Sequence, residues 1–273
     1  MAYDNLRAVL RSGRDLRSRF LLGLAVAATS HPRLRSVVLP ILRVFSARGA
    51  VAVSYLEPTL SVPLSASLRL SDLRSDLQTF LELGTRDCYR VPASFTPSVV
   101  IDGGANIGLF TLSMARRFPD AVLVAFEPLQ ENINVCKKHF AENSVRVRVE
   151  NFCLGARQAT GKFVRRDANR GSLSDTGEGM EVNVVPLSEF VPNSPTLVKL
   201  DIEGAEVAVI ESFLNAPRPN VFIVGELHHW PENESVFLKI LERSDWTASF
   251  FERDAVCVLF HAYPRAFQKT ACA

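Results

Sequence analysis

The chain has 273 residues, 47% of them apolar, and 31 Lys and Arg against 29 Asp and Glu leave a formal net charge of only +2. That is enough apolar content for one large domain, or for a core domain with an extension, to bury its interior. The near balance of charge, with no long basic block, gives no particular reason to expect a nucleic-acid partner; five scattered cysteines with no C-x-x-C pair favour free thiols over a disulfide framework or zinc knuckle.

Cys88, Cys136, Cys153, Cys257 and Cys272 therefore read as free thiols of a reducing, cytoplasmic compartment. In chain order, residues 1–90 read as a mainly helical N-terminal extension or cap, and residues 91–273 as the domain that carries the chemistry. The extension holds two apolar runs, FLLGLAVAA from Phe20 and VVLPILRVF from Val37. Both are too short to span a bilayer. The first follows several arginines, as in a signal peptide, but it reads better as a helix capping the site, with peripheral membrane contact as the alternative.

From Ser98 onward, short β-rich runs alternate with amphipathic helical patterns, the mark of a parallel sheet covered on both faces. SVVID is the first strand and runs into GGANIG. A helix follows in which Ile107, Phe110, Met114 and Phe118 recur at helical spacing until Pro119-Asp120. AVLVAFE is the second strand, followed by a helix with Leu129, Ile133, Cys136 and Phe140 on one face, and VRVRVEN is the third. Residues 160–179, rich in Gly, Ser, Asp and Arg, read as a mobile loop placed to act as a lid. TLVKLD then leads into a helix at Gly204, and NVFIVGEL is a fifth strand followed by a helix marked by Val236 and Ile240. TASFF and AVCVLFH are separated by only Glu252-Arg253-Asp254, which permits a hairpin but no parallel crossover.

The segment Asp102-Gly103-Gly104-Ala105-Asn106-Ile107-Gly108 sits between a strand and a helix. Glycine permits a tight turn and close approach of a ligand to the main chain. A helix starting near Asn106 would aim amides and a positive dipole end at an anion, here the methionine carboxylate of a sulfonium cofactor. Glu127 ends the next strand, where a carboxylate accepts hydrogen bonds from both ribose hydroxyls. A G-x-G-x-x-G pattern read from Gly103 would place Ala105 at its second glycine, which disfavours a pyrophosphate cofactor such as NAD.

VVIDGGANIGLFTL, VAFEPLQENI, NFCLG, LVKLDIEGAEVAVIESF and VFIVGEL together resemble the FkbM family of methyltransferases over roughly residues 70–260, most specifically in K-x-D-x-E-G-x-E at Lys199–Glu206. Ser75-Asp76, Phe80 and Tyr89 resemble the stretch that precedes the core in that family. The resemblance implies a class I methyltransferase fold, Rossmann-like and doubly wound, with a mostly parallel sheet and a C-terminal antiparallel hairpin. It also implies S-adenosylmethionine as donor and a hydroxyl of a sugar, glycan or secondary metabolite as acceptor. Carried over by position, Asp102, Gly103, Gly104, Asn106, Gly108 and Glu127 would hold the cofactor, with Asn151 near the adenine. Gly103 departs from the family, which more often has an apolar residue there.

Methyl transfer to an alcohol is an in-line displacement in which the oxygen loses a proton. Asp201, at the C-terminal end of TLVKLD, is the first choice for base or orienter, with Lys199 beside it and His228 and His229 as rivals. No metal is expected; Asp201, Glu203 and Glu226 are the oxygen ligands a divalent ion would use. The alternatives are N-methyl transfer to a small molecule or protein, and a cofactor-binding module without turnover. Neither the acceptor nor the oligomeric state can be read from the residues.

Overall fold

In the computed structural model, residues 12–30, 50–55, 63–69, 72–84, 87–165, 171–174, 177–253 and 256–267 are described. They fall into two units: residues 1–88, 107–117 and 135–145 in one, and 89–106, 118–134 and 146–273 in the other. The run VVLPILRVF and Cys272 lie outside the described residues.

The first unit begins with α1 (Leu16–Ser30). Asp15 starts it by accepting the Ser18 amide at 2.7 Å, as an N-cap carboxylate does, and Leu21 and Leu22 turn inward. β1 (Ala50–Tyr55) and β2 (Leu64–Arg69) then pair antiparallel, from Ala50 opposite Arg69 to Tyr55 opposite Leu64. Helical expectation for residues 1–90 did not include this hairpin. Its inward residues, Val51, Val53 and Tyr55 facing Leu64, Ala66 and Leu68, follow the period of two that belongs to strands. α2 (Leu73–Thr79) continues into a π turn at Phe80–Gly84. Asp76 of α2 is fully buried and accepts the Arg69 amide at 2.6 Å and its guanidinium at 2.7 Å.

α3 (Leu109–Arg117) belongs to this unit, as does α4 (Gln130–Glu142) from Val135 onward. His139 of α4 is buried among backbone groups. Its Nδ1 lies 2.8 Å from the Ile107 carbonyl, and the Ser67 amide donates to Nε2 at 2.8 Å. Burial lowers its pKa, and the neutral ring satisfies both partners, one as donor and one as acceptor. No helix among the described residues is long and apolar enough to cross a membrane.

The second unit is built on a seven-stranded sheet. Its strands are β3 (Val99–Gly103), β4 (Val122–Phe126), β5 (Arg148–Glu150), β10 (Thr196–Leu200), β11 (Val221–His228), β12 (Trp246–Arg253) and β13 (Cys257–Pro264), in the order β12-β13-β11-β10-β3-β4-β5. β3, β4, β5, β10 and β11 run parallel, β13 runs antiparallel to β11, and β12 pairs antiparallel with β13. The parallel sheet ending in a hairpin is therefore present, and its reversal of strand order falls between β3 and β10. Every residue of β10 is buried, as expected where both sheet faces are covered. α5 (Glu206–Phe213) contributes Val209, Ile210 and Phe213 to the core, and α6 (Trp230–Arg243) contributes Trp230, Phe237, Ile240 and Leu241. Val236 is 47% exposed, so Phe237 and not Val236 marks the inner face of α6.

Residues 160–179 are not a loop throughout. β7 (Ala159–Arg165) and β8 (Gly171–Leu173) join β6 (Cys153–Gly155) and β9 (Met180–Pro186) in a second sheet of order β6-β9-β7-β8. Phe163, Val182, Val184 and Cys153 bury against one another across it. The composition of a flexible loop coexists with strands here because each strand needs only one or two inward apolar residues, and the partners that cover them lie on other strands.

Two measurements check this sheet. Backbone amides of Lys162–Arg165 and Val182–Val184 should resist hydrogen exchange, and F163A should lower unfolding free energy by about 3 kcal/mol; exchange at unstructured rates in wild type would contradict the assignment.

Candidate active site

β3 ends at the turn that the glycines predict. Gly104 takes φ of +75°, and a Cβ there would lie 2.0 Å from the Asp201 carbonyl oxygen. The glycine is thus required by protein backbone approaching protein backbone, whatever ligand binds. The Gly104 and Ala105 amides donate to the Phe126 carbonyl at 3.1 and 2.9 Å. Asn106, with φ of +51°, donates its amide to Glu127 Oε2 at 2.8 Å. These three amides are committed, and α3 begins only at Leu109. The expected helix start near Asn106 is therefore corrected: positive φ at residues 104, 106 and 108 interrupts helical geometry. Gly108 belongs to the first unit, where a Cβ would meet the Phe140 ring at 2.8 Å.

Glu127 follows β4 and is buried at 4% exposure. Beyond the Asn106 amide, its Oε1 accepts the Leu129 amide at 3.0 Å and Asn132 Nδ2 at 3.1 Å. Burial pushes its pKa up to about 7, against the opposing pull of those three hydrogen bonds and of the Lys199 charge. A carboxylate has about four acceptor positions. Three donors leave one on Oε2, so this arrangement suits one hydroxyl where the sequence suggested two. Asn151 Nδ2 donates to the carbonyls of Glu127 and Pro128 at 3.1 and 2.8 Å; its amide group fixes the chain that follows Glu127.

On β10, Lys199 is buried at 2% exposure. Its ammonium donates to the Gly104 carbonyl at 2.7 Å and lies 3.3 Å from Asp102 and 3.4 Å from Asp201. Burial alone would lower its pKa, but Asp102, Asp201 and Glu226 outweigh it and raise it above the ordinary lysine value. The raised value favours the ammonium form. Asp201 also accepts the Tyr89 hydroxyl at 3.2 Å, and the Tyr89 carbonyl in turn accepts His261 Nε2 at 2.7 Å. Sequence reasoning gave Tyr89 no role, and nothing in the spacing of residues 89 and 201 signals their contact.

The turn after β10 is organised by Glu206, which is fully buried. Its carboxylate accepts the Ile202 amide at 3.0 Å, the Gly204 amide at 3.1 Å and His228 Nδ1 at 3.0 Å. Glu203 has φ of +56°, and its Oε2 lies 3.4 Å from His228 Nε2. Glu226 Oε2 is 4.0 Å from the same nitrogen and accepts the Cys257 thiol at 3.4 Å. Burial would lower the His228 pKa, but Glu206, Asp201 and Glu203 carry it up to about 10. The raised value favours the protonated ring. His229 adopts φ of +51° at the start of α6, with its ring beside Gly204.

Asp201, Glu203 and His228 offer one atom each within 4.8 Å of one another, close enough for one ion.

Residues 102–254, more than half of the chain, match the family described as the Methyltransferase FkbM domain. The chain belongs to the FkbM methyltransferase family. It is 28% identical over 152 residues to Methyltransferase 1 of Beauveria bassiana, covering 45% of this chain and 61% of that protein. It is 33% identical over 172 residues to Methyltransferase sdnD of Sordaria araneosa, with 48% and 66% covered. It is 26% identical over 211 residues to the 31-O-demethyl-FK506 methyltransferase FkbM of Streptomyces tacrolimicus, with 62% and 81% covered. The chain thus spans less than two thirds of the length of the first two relatives.

In this FkbM chain, replacing Lys199 by Met strands the carboxylates of Asp102 and Asp201 and should cost about 3–5 kcal/mol of unfolding free energy. Adding Asp102→Asn should restore part of it. Because the Lys199 pKa is raised in the folded state, its contribution is fully present below the ordinary value of 10.5 and should not vary over neutral pH. Denaturant titrations of the single and double variants at several pH values measure both effects.

Proposed function

We propose that this chain transfers the methyl group of S-adenosylmethionine to a hydroxyl oxygen of a sugar, glycan or secondary metabolite. One observation carries the reading: two kinds of acid stand at the C-terminal end of the same sheet. Glu127, buried beside the glycine turn, suits a neutral diol. Asp201, Glu203 and Glu226, with side chains 23–28% exposed, suit a group that must give up a proton.

The residues fit the donor on its ribose side. Oε2 of Glu127 retains an acceptor position for a ribose hydroxyl, and the amides of Asn106 and Leu129 hold that carboxylate in place. When bound, the donor supplies an electrophilic methyl on a sulfonium. Asp102 and Lys199 hold the turn against β10. Oxygen is favoured as the acceptor atom because an alcohol needs a carboxylate to take its proton during displacement. The name of the Streptomyces tacrolimicus relative, a 31-O-demethyl-FK506 methyltransferase, supports the same choice.

Calorimetric titration with S-adenosylmethionine tests the donor half. Binding should be micromolar at pH 8 and weaken at least tenfold in E127A. A hydroxyl donates to the ionised carboxylate, and the pKa of Glu127 is raised to about 7. Affinity should therefore fall as pH drops from 8 to 6 in wild type and stay level in E127A. Unchanged affinity in E127A would remove the assignment. For the acceptor half, the protein is incubated with methyl-labelled donor and fractionated host extract. A labelled methyl ether is expected, and a labelled amine would transfer the reading to nitrogen.

A further inference from the structure

The apolar run that begins at Phe20 takes no part in the chemistry above, and α1 presents part of it to solvent. Leu16 is 83% exposed and Phe20 57%, while Leu24, half-buried, follows at the same interval of four residues. At 3.6 residues per turn these three share one stripe of the helix. The opposite stripe is the one that packs: Ser18, Leu21 and Leu22 are buried, and Ser18 Oγ accepts the Ala52 amide of β1 at 3.2 Å. Between Leu16 and Leu24, α1 is therefore apolar on two sides, and the β1–β2 hairpin accounts for only the inner one.

Arginines border the outer stripe. At about 100° per residue, Arg19 falls on one flank of Leu16 and Phe20 and Arg17 on the other, with Arg14 just before the helix. All three are exposed. One donor of Arg19 goes to the Gly13 carbonyl at 3.0 Å, and a guanidinium has others. Asp15 is the one acid in Arg14–Phe20, and it caps the helix by accepting the Ser18 amide at 2.7 Å. Three cations against one anion at this end run counter to the helix dipole, which favours negative charge there. Helix stability therefore gives no reason for the arginines. Bulky apolar side chains flanked by guanidinium groups match the boundary of an anionic bilayer, where the apolar groups enter the acyl region and the cations meet lipid phosphates and carboxylates. Two copies of this chain meeting through the same stripe would instead bring like charges together.

We propose that the outer face of α1 docks on an anionic lipid bilayer, with Leu16 and Phe20 inserted and Arg14, Arg17 and Arg19 on the headgroups. The helix lies in the plane of the interface and does not cross it. Its 15 residues rise about 22 Å, short of a hydrocarbon layer of about 30 Å. The inference goes beyond methyl transfer and does not rest on it, since docking needs neither donor nor acceptor.

The test is sedimentation of the full chain with vesicles of phosphatidylcholine containing roughly a third phosphatidylserine. Wild type should bind these vesicles, bind pure phosphatidylcholine about tenfold more weakly, and be released as salt is raised to about 0.5 M. L16E/F20E and, separately, R14Q/R17Q should each weaken binding about tenfold. Both should keep the circular dichroism spectrum and thermal midpoint, because the substituted side chains are exposed. F20W gives a readout that does not depend on loss. Its indole emission should shift to shorter wavelength on binding and be quenched by brominated acyl chains, whereas Trp230 and Trp246, buried in the other unit, should be unaffected. Failure of wild type to sediment, equal binding to pure phosphatidylcholine, or an F20W indole that brominated lipid leaves unquenched overturns the proposal. So does a concentration-dependent dimer that L16E/F20E abolishes while vesicle binding is unchanged, which would make the stripe a contact between copies.

Discussion

The buried ammonium of Lys199 is the constraint on which the site depends. It sits at the reversal of strand order, where β3 and β10 run side by side. A charge so placed is tolerable only if carboxylates and a carbonyl surround it, and Asp102, Asp201 and the Gly104 carbonyl do so. One cation therefore joins the end of β3, the glycine turn and the start of the β10–α5 turn. The absence of a side chain at Gly104 belongs to the same arrangement, since the Asp201 carbonyl occupies the space a Cβ would need.

Around this centre, two buried glutamates perform parallel tasks. Glu127 accepts the amide of Asn106, and Glu206 accepts the amides flanking Glu203. Asn106 and Glu203 are both left-handed without being glycine. In each case a buried carboxylate compensates the strain of a turn by satisfying its amides. The turns at the C-terminal strand ends are thereby held rigidly, which suits a displacement that demands alignment of three atoms. The two glutamates differ in partner. Glu127 accepts amide N–H donors, and burial raises its pKa to about 7; Glu206 faces His228 Nδ1 at 3.0 Å.

Short β-rich runs alternating with helical patterns made β3, β4, β10 and β11 legible, and the short link between β12 and β13 required a hairpin. Asp102, Glu127 and Asp201 were legible as the last polar residues of apolar strands. The β1–β2 hairpin and the β6–β9 sheet were not. Their strands are short, and the side chains that cover them, such as Val184 for Phe163, come from elsewhere in the chain. Local composition in residues 160–179 pointed to a loop for that reason.

By itself the sequence determined the order of elements, the glycine turn and the presence of acids at strand ends, because these follow from local periodicity and from what individual residues permit the backbone to do. Only the tertiary structure decided what those residues are chemically. Whether Lys199 and His228 are bases or cations depends on carboxylates brought beside them by strand pairing, Asp102 lying 97 positions before Lys199 and Glu206 lying 22 before His228. Electrostatic interaction falls with distance in space and takes no account of separation along the chain.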